Sequence, residues 1–146
     1  MKKRYSGKAA LVALGLAVLL GLAAPASAQT MMRVEIPFAF VAGNQSLPAG
    51  MYNFVLDANF SFCRIDSFSD GSSHPIRFMP GPARRQNANA DRGVVQFEKY
   101  GDRYFLNAVW KPGSTDGLAA ITSRRLIESA KAQGTVETMS IDSEIK

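Results

Sequence analysis

The chain has 146 residues, with 17 Lys and Arg against 12 Asp and Glu for a formal charge of +5. Its first 28 residues hold four of those bases and no acid, so the remaining 118 carry only +1, too little for the phosphate neutralisation that nucleic-acid binding requires. One cysteine and one histidine exclude an intrachain disulfide and leave zinc without a ligand set.

Lys2, Lys3 and Arg4 precede an uncharged apolar run from Ala9 to Leu22, and Ala26-Ser27-Ala28 closes the segment. This is the layout of a secretory signal peptide over 1–28, cleaved before Gln29. The apolar run is shorter than the roughly 20 residues that a membrane span needs. No cysteine follows it to carry a lipid, so the reading is an exported chain, secreted or periplasmic, with one β-rich domain over 29–146 and no membrane span after cleavage. A domain of that length buries about two-thirds of its unfolded surface, enough to stand without covalent staples.

From Arg33 the apolar residues alternate as Val34, Ile36, Phe38 and Phe40, the period of a half-buried strand. Gly43 to Gly50 reads as a loop through Asn44, Pro48 and Gly50. A second strand spans Met51 to Leu56. The runs Phe60 to Phe68 and Ser73 to Met79 flank Asp70-Gly71, a two-residue hairpin signal. That turn places Ile65 opposite Ile76 and Cys63 opposite Phe78 on a buried face, with Arg64 opposite Arg77 on a wet one where Asp66 can relieve the repulsion.

Pro80 to Gly93 holds no apolar side chain larger than Ala and reads as a long mobile loop. Val94 to Tyr100 and Arg103 to Trp110 form a second hairpin around Gly101-Asp102, where a leading Gly suits a type II′ turn. Its register sets Phe97 against Leu106 and Val95 against Ala108 inside, with Tyr104 and Trp110 on the same core face, and Gln96 against Asn107 and Glu98 against Phe105 outside. Lys111-Pro112-Gly113 ends that strand. Ser123 is placed to cap a helix running to Gln133, with Leu126, Ile127 and Ala130 for packing, and Thr135 to Ile141 reads as a last strand. The sum is an all-β, mainly antiparallel fold of about seven strands with one short C-terminal helix, either a two-layer sandwich or a partly closed barrel.

Chemistry-bearing motifs are sparse. His74 is the one imidazole, and its neighbours Ser72 and Ser73 lie at a hairpin tip, so it reads as a solvated turn histidine and not as a catalytic base. The aspartates fall at turns, no phosphate-binding glycine loop is present, and Cys63 reads as a buried structural thiol. No catalytic residue, metal ligand or cofactor is expected. The candidate partner contacts are Tyr100 and Phe105, outward on the second hairpin unless the helix covers them, and the basic pair Arg84 and Arg85 in the loop.

The segments Ile36-Pro37-Phe38-Ala39-Phe40, Leu47-Pro48-Ala49-Gly50-Met51-Tyr52 and Glu98-Lys99-Tyr100-Gly101-Asp102-Arg103-Tyr104-Phe105-Leu106 together resemble a family of small exported bacterial proteins to which no activity is attached. The resemblance implies a signal peptide followed by a β-rich domain and carries over no site residue. The functional expectation is a non-enzymatic exported β-domain that binds an envelope or extracellular partner or serves a structural role. The alternative is a small β-barrel carrying an apolar ligand in a cavity lined by Phe38, Phe40, Tyr52, Phe54, Phe97 and Leu106.

Overall fold

The computed structural model describes residues 29–57, 61–83 and 91–144. The expected leader over 1–28 and the pair Arg84 and Arg85 lie outside the described residues. Among the described residues ten strands and one helix follow in the order β1 (Thr30–Ile36), β2 (Phe40–Ala42), β3 (Gln45–Leu47), β4 (Gly50–Leu56), β5 (Phe62–Ser67), β6 (Ser73–Ala83), β7 (Val94–Tyr100), β8 (Arg103–Trp110), β9 (Asp116–Ala120), α1 (Arg124–Lys131) and β10 (Val136–Asp142).

The strands form a mixed sheet bent into two layers, and it is not closed into a barrel. One layer holds β1, β4, β5 and the first half of β6, and the other holds the rest of β6 with β9, β8, β7 and β10. The corner lies inside β6, which pairs with β5 as far as Arg77 and with β9 from Phe78 onward. Along its free edge β8 takes two neighbours in succession, β2 in parallel at Tyr104 and Phe105, then β9 at Ala108 and Val109. The layers enclose Val34, Ile36, Phe40, Tyr52, Phe54, Cys63, Ile65, Phe97, Leu106 and Val109. On the outer side of β7 and β8, α1 lays Leu126, Ile127 and Ala130 over Val41, Tyr100 and Phe105.

The first hairpin differs from the sequence reading by two residues. Cys63 pairs with Ile76, Ile65 with His74 and Arg64 with Pro75. The loop is longer because Asp70 Oδ1 accepts from the Ser72 backbone N–H at 3.0 Å, while the Ser67 N–H donates to the Ser72 carbonyl at 2.8 Å. A shift of two preserves which face each side chain occupies. Cys63 therefore remains fully buried, and the Arg64 and Arg77 confrontation does not arise.

The second hairpin turns at Gly101, with φ of 59°, as expected. Phe97 faces Leu106 and Glu98 faces Phe105, but Asn107 is an extra residue on β8, so Gln96 pairs with Ala108 and Val95 with Val109. Beyond this bulge the faces exchange. Trp110, expected in the core with Tyr104, is buried outside the main cluster and donates its indole N–H to the Pro82 carbonyl at 3.1 Å.

Three further corrections concern the loops. The loop expected over 43–50 contains β3, joined to β2 by a two-residue Gly43-Asn44 turn with φ of 60° at Gly43. The expected loop over 80–93 begins later, since Pro80 to Ala83 continue β6 through an irregular pairing with β9. The prolines are tolerated because the β5 side of β6 is last used at Phe78, whose N–H donates to the Ser61 carbonyl at 3.0 Å, and among the described residues no acceptor there calls for the missing N–H of Pro80 or Pro82. Lys111 to Ser114 make a turn closed by a 3.2 Å bond from the Ser114 N–H to the Lys111 carbonyl, with Pro112 and then Gly113 at φ 73°, and β9 follows as a strand absent from the sequence reading.

Candidate functional site

Four polar side chains from two hairpins meet at the tip of the first layer. His74 Nδ1 stands 2.6 Å from Gln45 Oε1, which can only accept, so the imidazole donates there. His74 Nε2 stands 2.9 Å from Ser72 Oγ, and the Ser72 hydroxyl donates to Asp70 Oδ1 at 2.7 Å. The bonds from the Ser72 hydroxyl and backbone lower the Asp70 carboxyl to about 2. His74 is thus half-buried in β6 and tied to β3, unlike the solvated turn residue expected from the sequence.

This cluster does not reproduce a nucleophile and its base. The Ser72 oxygen stands 2.9 Å from His74 Nε2 and 2.7 Å from Asp70 Oδ1, so a carboxylate competes with the imidazole for its one proton, unlike a nucleophile paired with a single base. The row beside it is similarly committed, with Asp66 accepting from Arg64 Nε at 2.9 and 3.0 Å and from the Ser73 hydroxyl at 2.6 Å. Among the described residues no three His, Cys, Asp or Glu side chains converge on a point that could hold a metal ion.

The aromatic contacts proposed from the sequence are covered. Tyr100 and Phe105 do lie on the outer face of the second hairpin, but each is only 3 % exposed because α1 packs over them. Their rings meet edge to face at 5.7 Å, and the Tyr100 hydroxyl donates to Glu98 Oε2 at 2.5 Å. Burial, then the Glu98 contact, pushes the Tyr100 phenol up to about 12.

An open groove of about 160 Å³ lies beside them, lined by Ala39, Phe40, Val41, Ser46, Asp102, Arg103 and Tyr104. It forms where β2 runs alongside the start of β8. Tyr104 is half-buried and stacks on Phe38 at 3.8 Å and 16°. Lys99 Nζ lies 5.8 Å from the Tyr104 ring, and the Arg103 guanidinium sits 5.2 Å above the Phe105 ring. The sequence reading placed Tyr104 inward, where it packs against the main core cluster, and assigned nothing to Ser46, Asp102 or Arg103. The Gly43-Asn44 turn is the local signal that sets Ser46 beside Val41 of β2. A second groove of about 140 Å³ runs along Lys111, Ser114, Asp116, Gly117 and Leu118.

The rings nominated as the lining of an apolar cavity pack on one another instead, Phe40 against Tyr52 at 5.4 Å and Phe97 at 5.3 Å, and Phe38 against Phe97 at 5.2 Å. Comparison with known proteins finds no matching family model, no matching curated protein and no matching solved structure.

Proposed function

We propose that the chain is an exported, non-enzymatic β-domain that acts by binding an envelope or extracellular protein, as the leader sequence and the sparse chemistry suggest. The observation that carries this reading is the groove at Tyr104. It combines a half-buried aromatic shelf with Asp102 and Arg103 of opposite sign at its rim, the amphipathic and charged composition that suits a protein contact. The competition of the Asp70 carboxylate with His74 for the Ser72 hydroxyl supports the non-enzymatic part.

Site-specific photo-crosslinking in the native host tests it. A crosslinker at Ser46 or Asp102 is expected to capture one protein species that a crosslinker at Asp66, on the outer face of the other layer, does not. Arg103→Glu is expected to abolish that capture while leaving the fold intact. Equal capture from both faces, or none from the groove, contradicts the reading. The small-ligand alternative has weaker support, because its lining residues contact each other directly.

A further inference from the structure

The polar cluster at the tip of the first layer is one proton short when its imidazole is neutral. Ser72 has a single hydroxyl proton, and two acceptors stand within reach of its oxygen, Asp70 Oδ1 at 2.7 Å and His74 Nε2 at 2.9 Å. The ring gives its own proton to Gln45 Oε1 from Nδ1, so a neutral ring offers only a lone pair at Nε2. With the Ser72 proton on Asp70, that lone pair has no donor from Ser72. A second proton on the ring removes the conflict. Nε2–H then donates to the Ser72 oxygen, the Ser72 hydroxyl to Asp70, and Nδ1–H still to Gln45. Asp70, lowered to about 2 by its bonds from Ser72, stays an acceptor throughout the range in which imidazoles titrate.

We propose that His74 is a proton-operated latch between β6 and β3: a charged ring completes the chain from Gln45 through His74 and Ser72 to Asp70, and a neutral ring leaves it broken. The link joins residues 29 apart in sequence, so its state is felt by β3, a strand of only three residues whose one strand neighbour is β2. The charges around the ring suit the device. The turn brings the Asp70 carboxylate, and β5 brings Asp66, already held by Arg64 and the Ser73 hydroxyl. β4 brings Tyr52, whose phenol is raised by burial and then by Asp70 and is neutral, and β3 brings no charged group. On β6 itself Arg77 lies on the opposite face from His74. β3 also carries Ser46, one wall of the groove at Tyr104, but the latch rests on contacts outside that groove and not on its occupant.

Nuclear magnetic resonance on the purified, nitrogen-labelled protein tests it, because His74 is the sole histidine and its two ring nitrogens are read without overlap. At about pH 8 the neutral ring is expected to carry its proton on Nδ1, as the Gln45 bond requires, and at about pH 5 on both nitrogens. Between the same limits the exchange protection of the Gln45 to Leu47 amides, corrected for the intrinsic rate, is expected to rise about fivefold, the worth of about one hydrogen bond. His74→Gln and Ser72→Ala are each expected to remove this rise while β7 and β8 keep their protection. A neutral ring protonated on Nε2, which would leave the Ser72 proton uncontested, overturns the proposal. So does β3 protection that is indifferent to pH in the wild type, or a rise that persists in both variants.

Discussion

The Tyr100 hydroxyl donates to Glu98 at 2.5 Å in the layer between β7 and α1, so the outer face of the second hairpin is closed by a phenol and a carboxylate two residues apart. The folded chain holds the phenol proton more tightly than the unfolded chain, because burial and then Glu98 raise it from 10.0 to about 12. The stability linked to this proton is therefore complete below about pH 10 and is lost as pH rises toward 12. Urea midpoints measured across that window are expected to fall more steeply for wild type than for Tyr100→Phe. At neutral pH the variant is expected to be less stable by about 1 kcal/mol, the worth of the lost hydrogen bond.

Phe105 separates coverage from contact. Its ring is 3 % exposed beneath Leu126, Ile127 and Ala130, so Phe105→Ser leaves a cavity and buries a hydroxyl. Urea unfolding is expected to show a loss of roughly 3–5 kcal/mol, the cost of deleting a buried aromatic ring. A stability change under 1 kcal/mol would mean that α1 does not pack on this ring.

Gly117 has no room for a methyl group. A Cβ there would stand 2.5 Å from the Trp110 indole nitrogen and 2.6 Å from the Pro82 carbonyl oxygen, the two ends of one hydrogen bond. Gly117→Ala is expected to break that bond and to cost about 1–3 kcal/mol through overpacking. Trp110 is the sole tryptophan, so its emission is expected to shift with the variant and report the break directly.

Cys63 is fully buried, and burial, followed by the fields of Asp66 and Asp57, pushes its thiol far above the usual range. Alkylating reagents are expected to leave it unmodified in the native protein at pH 8 and to modify it completely in urea. Modification of the native chain at the rate of an exposed thiol would contradict the burial.

The strands that alternate cleanly were legible in the sequence, as Val94 to Tyr100 and Arg103 to Trp110 illustrate, because a buried face fixes their period and Gly101 fixes their turn. Side-chain facing in the first hairpin also survived a wrong loop length, since the two-residue error at Asp70 preserved parity. The place of Trp110 was not legible, because the bulge at Asn107 exchanges the faces and leaves no mark in the alternation. β9 was missed because Gly117, Ala119 and Ala120 have little strand preference of their own, and its pairing comes from β6 and β8. The joining of Gln45 to His74, 29 residues apart, and the groove beside Tyr104 are products of the β2–β8 pairing, which no local pattern encodes.

The most direct test of the central claim is native mass spectrometry of the protein recovered from the envelope or medium of its own host. A protein that acts through a surface groove is expected to emerge with a different protein chain bound at fixed stoichiometry and no small-molecule adduct. A stoichiometric small-molecule adduct on the isolated chain would contradict the account and return attention to an apolar ligand.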